Sequence, residues 1–140
     1  MTIQMVLLPV FVQVTLTFGL LFWMAYTRRT SLSRGELKVR DIALGQSAWP
    51  ARATQASNSF DSQFQIPVLF YVLVILAWIT KQADLLFVVM AWIFVLSRLA
   101  HAYIHTTSNN VSTRFNIFAL GMMVLLIMWI IFAVRILILL

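Results

Sequence analysis

At 140 residues the chain has room for one domain, and not for a membrane anchor plus a separate soluble enzyme. It is 62% hydrophobic and 10% charged, with a mean hydropathy of +0.95; a water-soluble domain is about half apolar and about a quarter charged, so lipid must be the solvent here. The net charge of +6 comes without a Lys/Arg run interleaved with aromatics, which excludes nucleic acid as a partner, and the lack of cysteine excludes disulfides, thiolate nucleophiles and zinc–thiolate sites.

A helix needs about 20 mostly apolar residues to cross the hydrocarbon core. Residues 3–26 satisfy this, interrupted only by Gln4, Gln13, Thr15 and Thr17. The run lacks a basic leader and a small-residue cleavage site, so it reads as a first span and not a signal peptide. A basic stretch follows, carrying Arg28, Arg29, Arg34, Lys38 and Arg40. The next segment, PARATQASNSFDSQFQI over residues 50–66, is amphipathic as a helix. It sets Ala53, Ala56, Phe60, Phe64 and Pro67 on one stripe and Arg52, Gln55, Asn58, Ser59, Ser62 and Gln65 on another, with Asp61 at the edge. Pro50 suits the first turn, with Ser47 among the possible caps before it. Residues 67–80 are too few to span alone, so Pro67 is expected to kink one long second helix, about 50–80. The polar stripe of that helix must face the bundle interior or water.

Residues 84–105 and 114–140 supply the third and fourth spans. The 81–83 connection is so short that helices two and three must form an antiparallel hairpin. Its only charge is Lys81, whereas the first connection is strongly basic and the third leads into Arg114. The positive-inside bias therefore places the first and third connections in the cytoplasm and both termini outside. The expected fold is all-α: a single four-helix transmembrane domain over residues 1–140, with the lipid bilayer as its first partner. Short loops and no targeting signal suit a bacterial inner membrane.

The third span ends in SRLAHAYIH, which aligns Arg98, His101 and His105 on one helical face above Phe94. Arg114 opens the fourth span, and the second contributes Arg52, Asn58 and Asp61. Ionisable groups at membrane depth are expensive and mark function by default. Arg98 could instead pair with Asp61 and staple two helices, and Arg114 could snorkel to headgroups. Three arginines facing one carboxylate leave excess positive charge, however, and that charge calls for an anionic ligand. His101 and His105 have the four-residue spacing of metal ligands, but no Glu lies between them, and a third ligand, Asp61, would sit beside the repelling Arg98. No metal is expected. Gly19, Gly35, Gly45 and Gly121 are scattered singly, so no phosphate cradle forms, and Gly121 instead suits close helix packing. Trp23, Tyr26, Trp49, Trp78, Trp92 and Trp129 read mainly as interfacial anchors.

At these residues the sequence resembles the MAPEG superfamily, the membrane-associated proteins in eicosanoid and glutathione metabolism. The family pattern in helix two, an Arg followed by Asn-x-x-acid and then Pro, is similar to Arg52, Asn58-Ser-Phe-Asp61 and Pro67. The Arg-x2-His-x3-Tyr motif of its microsomal prostaglandin E synthase branch, with a further Arg downstream, resembles Arg98-Leu-Ala-His101-Ala-Tyr-Ile-His105 and Arg114. The combination is similar to a divergent bacterial branch of the superfamily. The resemblance implies a homotrimer binding glutathione between subunits from the cytoplasmic side. Arg52, Asn58, Asp61 and Arg98 would hold its charged ends, with His101 and His105 lining the same site, and Arg114 would be catalytic, stabilising the thiolate. It implies a glutathione-dependent transferase or peroxidase acting on lipophilic electrophiles; the alternative is a non-catalytic trimer binding an anionic amphiphile or lipid. The chain departs from the pattern where His105 stands for the family's Tyr, where Gln65 replaces a carboxylate, and in the longer Arg52–Asn58 and Asp61–Pro67 spacings.

Overall fold

The computed structural model describes residues 2–139 other than 37, 39, 41, 42 and 44–48. The Ser47 cap and Gly45 lie outside the described residues, as does position 140 of the fourth span. The apolar runs form helices α1 (Ile3–Ser33), α2 (Ala51–Ser62), α3 (Ile66–Ile79), α4 (Leu85–Thr106) and α5 (Val111–Leu137), and the described residues form no strand. These helices build four segments long and apolar enough to cross a membrane, α2 and α3 together making the second. The protein is an all-α four-helix membrane bundle.

Local chemistry sets the helix ends. Thr2, Asp84 and Asn110 are the N-caps of α1, α4 and α5, their side chains accepting from the backbone N–H groups of Met5, Phe87 and Thr113. The α3–α4 hairpin turns through Lys81 in the left-handed conformation, φ 61°, where the Gln82 N–H donates to the Ala77 carbonyl at 2.8 Å. Asn109 plays the same part after α4, φ 51°, with its N–H on the Ile104 carbonyl at 2.7 Å. At about 1.5 Å per residue, the 31 residues of α1 exceed the hydrocarbon thickness, so its Arg28–Arg29 end projects past the core. The helix thus runs beyond the residue 26 expected from hydropathy.

The second span is broken, where a kink was expected. Helix α2 stops at Ser62, residues 63–65 form a turn, and α3 restarts at Ile66 with Pro67 in its first turn. The cause lies in Pro67. It has no N–H for the Gln63 carbonyl, and its ring would strike that carbonyl in a continuous helix. A helix start tolerates both defects. The turn also rotates the faces. Gln63 is 1% exposed whereas Phe64 is 59% exposed, the reverse of an unbroken stripe through Phe60, Phe64 and Pro67. The polar stripe divides as well: Ser59 and Ser62 are buried, while Arg52, Asn58, Asp61 and Gln65 are exposed on the single chain.

The bundle interior has two storeys. Where α1 and α4 begin and α3 and α5 end, it is apolar, built from Val6, Leu73, Val74, Ala77, Phe87, Val88, Ala91 and Met128. Phe70 and Phe94, with ring centroids 4.8 Å apart, close the top of this core. Helices α4 and α5 are the most extensively packed pair. They meet closely at Gly121, where an added Cβ would lie 2.6 Å from Ser97 Oγ. Beyond the Phe70–Phe94 layer the interior turns polar.

Candidate functional site

The polar storey is organised by the broken helix. Ending α2 inside the bundle leaves carbonyls at its C-terminus without helical partners. Arg98, 1% exposed, donates from Nη2 to the Ser62 hydroxyl at 2.9 Å and to the Ser62 carbonyl at 3.3 Å. A cation is thereby placed at the negative end of the α2 dipole. Gln63 turns inward and donates from Nε2 to the Ser59 carbonyl at 3.0 Å and to Ser62 Oγ at 3.1 Å. Its Oε1 accepts from Gln13 Nε2 of α1 at 2.7 Å. Tyr71 of α3 sits beside Thr17 and Gln13, within electrostatic reach of Arg98. Several polar atoms of this network stay unpartnered in the protein: Arg98 Nε and Nη1, Gln13 Oε1 and Ser59 Oγ.

A cleft of about 450 Å³ lies between α2, α4 and α5; Ser62 is part of its wall, and Arg98 stands behind that wall, hydrogen-bonded to Ser62. Asn58, Asp61 and Gln65 line one side of this cleft, His101 and His105 another, and Arg114, Phe115 and Phe118 the third. Arg114 is held in place by Asn109, whose Oδ1 accepts from Nη1 at 2.6 Å. The imidazoles of His101 and His105 meet edge-on with centroids 5.4 Å apart, and the buried Nδ1 of each lacks a partner.

Helix length fixes the depth. About 20 residues span the hydrocarbon. Counted from Ile79 back along the second span they reach Phe60; counted from Leu85 along α4 they reach Ile104; counted back from Leu137 along α5 they reach Phe118. Asp61 and His105 therefore lie within one residue of the edge of the hydrocarbon, Arg114 lies about 6 Å outside it at the same end of the bundle, and Arg98 lies roughly 10 Å deeper than His105.

The structure gathers Asn58, Asp61, His101, His105 and Arg114 around one space and puts Arg98 behind it. It does not bring Arg52 there. That guanidinium stacks over Trp23 at 4.9 Å and Tyr26 at 5.7 Å, on the α1 side of α2. Nor does Arg98 staple Asp61: among the described residues the ion pair that forms is Asp84–Arg135, 2.9 Å, at the opposite end of the bundle. Among the described residues no third His, Cys, Asp or Glu groups with His101 and His105 in a metal-binding arrangement. Gln63 and Tyr71 were missed by sequence reasoning, and Gln13 registered only as an interruption. The available signal was Gln13 itself, an amide near the middle of an apolar span.

Four apolar spans enclosing a buried arginine, with a polar cleft at one membrane face, define a polytopic integral membrane protein with a candidate ligand site. A sequence model of the MAPEG family matches residues 6–134, and the chain belongs to that family. No curated protein and no solved structure matches it.

Proposed function

We propose that the cleft binds glutathione and that the protein is a glutathione-dependent transferase or peroxidase for lipophilic electrophiles. The observation that carries this reading is the charge balance. Arg98 stands behind the cleft with Nε and Nη1 unpartnered, Arg114 stands in its wall, and Asp61 is the carboxylate lining it. Arg114 in the wall and Arg98 behind Ser62, set against the single carboxylate of Asp61, leave excess positive charge around the cleft, and that charge favours an anion. Glutathione fits this set: its carboxylates suit the arginines, its ammonium suits Asp61, and its peptide groups suit Asn58 and Gln65. The cleft volume lies within the range of about 300–1,000 Å³ usual for small-molecule sites.

In this reading Arg114 stabilises the thiolate, because a nearby cation in a partly dry site favours the charged sulfur. Asn58, Asp61, Arg98, His101 and His105 hold the peptide, and Arg52, on the α1 flank, reaches it only across a subunit boundary. The bilayer delivers the apolar substrate laterally. Asn58, Asp61 and Gln65 are exposed on the single chain at or near the edge of the hydrocarbon, and a homotrimer with the cleft between copies would cover them. The basic connections support a cytoplasmic side for the cleft, and the membrane in this reading is a bacterial inner membrane.

The test uses purified protein in lipid nanodiscs with millimolar glutathione. The expected results are thiolate absorbance, conjugation of a lipophilic electrophile, and loss of both in Arg114→Ala. No thiolate, no turnover and no effect of Arg114→Ala would sink the enzyme reading. Gln65 and His105, standing where the family carries a carboxylate and a Tyr, favour a second reading: a trimer that holds an anionic amphiphile without chemistry. Saturable binding without turnover identifies it.

A further inference from the structure

The cleft contains two imidazoles that no structural hydrogen bond occupies. A histidine buried for packing satisfies its ring nitrogens with a carbonyl, a carboxylate or water, since an unpaired buried polar atom is costly. His101 and His105 are 5% and 8% exposed, and neither Nδ1 has a partner. Their edge-on contact, 74° between planes, leaves open which nitrogen of each ring carries its proton. His101 is the deeper of the two, against Phe118 at 5.8 Å. His105 stands one turn nearer the cleft mouth. The charged and titratable groups that face it are Arg114 of α5, Arg98 and His101 of its own helix, and Asp61 across the cleft on α2. Among the described residues neither imidazole is paired with a carboxylate.

This arrangement separates two tasks that thiol activation needs. A guanidinium steadies a thiolate but cannot take the proton. A neutral imidazole can take the proton but does not stabilise the anion as well. Building on the glutathione reading of the cleft, we propose that His105 is the general base for the thiol. The S–H bond breaks, the proton passes to an unprotonated ring nitrogen of His105, and the electron pair left on sulfur faces the Arg114 guanidinium. When that pair attacks the electrophile, the new C–S bond forms and the leaving group departs with its bonding electrons. The imidazolium then returns its proton to the leaving group or to water. No oxidant or metal enters the step.

The experiment compares wild type, His105→Gln and His105→Ala in nanodiscs, with glutathione and a chlorodinitrobenzene as substrates. His105→Gln keeps hydrogen-bonding capacity without a usable base. Its kcat/KM at neutral pH should fall at least about a hundredfold, the usual weight of a general base. Its rate should then climb about tenfold per pH unit, as hydroxide takes over, where the wild-type rate levels off. Added imidazole should restore His105→Ala. Unchanged turnover overturns the proposal, and so does a loss of activity without the altered pH profile and without rescue by imidazole. If His105→Ala does not fold, the pH profile of His105→Gln decides. Wild type that neither binds glutathione nor turns over removes the reading of the cleft itself, and the base with it. Wild type that works while His105→Gln matches it removes only the base.

Discussion

Arg98 is the most costly side chain in the bundle. Its position on α4 lies about 10 Å inside the hydrocarbon boundary, and Ser62 is its hydrogen-bond partner. Buried charges are weak contributors to stability, because desolvation offsets what the hydrogen bonds return. Two expectations therefore part company. If Arg98 were a staple, removing it would unfold the protein; if it serves an anion, removing it should cost binding. Arg98→Met should leave thermal stability in nanodiscs within about 1–2 kcal/mol of wild type, or raise it. It should weaken glutathione binding at least about tenfold, since charge-assisted hydrogen bonds contribute roughly 1.5–3 kcal/mol. Thermal unfolding and calorimetric titration measure the two quantities, and a large stability loss with unchanged binding would count against the anion role. The Arg98–His101–His105 face was legible in the sequence, because i, i+3 and i+7 positions share a face in any regular helix. That Arg98 would turn to Ser62 and not Asp61 was not legible. The choice depends on the break after Ser62, which brings that residue's hydroxyl and carbonyl to the guanidinium.

At the scale of elements, the break between α2 and α3 decides the site. It swings Gln63 into the bundle and leaves Asn58, Asp61 and Gln65 along the cleft. The sequence announced that something happens at Pro67, and a missing N–H explains it in either case. A kink keeps the faces in register, however, whereas a turn rotates them, and local sequence does not distinguish the two. The inward-turned Gln63 meets a distant partner, Gln13 of α1, fifty residues away in the chain. That amide pair gives a prediction. Gln13→Leu leaves Gln63 Oε1 buried without a donor and should cost about 1–3 kcal/mol. The pair's own worth is smaller, since interhelical hydrogen bonds in membranes average about 0.6 and reach about 1.7 kcal/mol. The Gln13→Leu/Gln63→Leu double variant should therefore be less destabilised than the two single variants summed, by an amount in that range. A double-mutant cycle on unfolding free energies checks this, and strict additivity would show that the amides do not hold the break.

At the scale of the molecule, the spans, the short α3–α4 hairpin and the polar end were all readable from hydropathy. Composition alone forces lipid on this chain, and about 20 apolar residues per crossing sets the count. What a single chain does not explain is its own outer surface. Asn58, Asp61 and Gln65 are exposed at or near the level where hydrocarbon begins, beside large apolar side chains such as Phe64 and Leu69, 59% and 51% exposed. Lipid cannot hydrogen-bond the polar groups, and leaving them unsatisfied costs on the order of a few kcal/mol each. A second copy laid over the cleft relieves that cost and closes the ligand space from the side. Solution assembly should follow. For the homotrimer proposed above, native mass measurement from nanodiscs is expected to give three times the 16.1 kDa chain. Asp61→Lys, which places a cation beside the Arg114 cleft wall and under the covering copy, should shift the population toward smaller species. A wild-type protein that runs as one copy in a bilayer at all concentrations would mean that water, not a neighbour, solvates the cleft, and that a ligand bound there is held by a single chain.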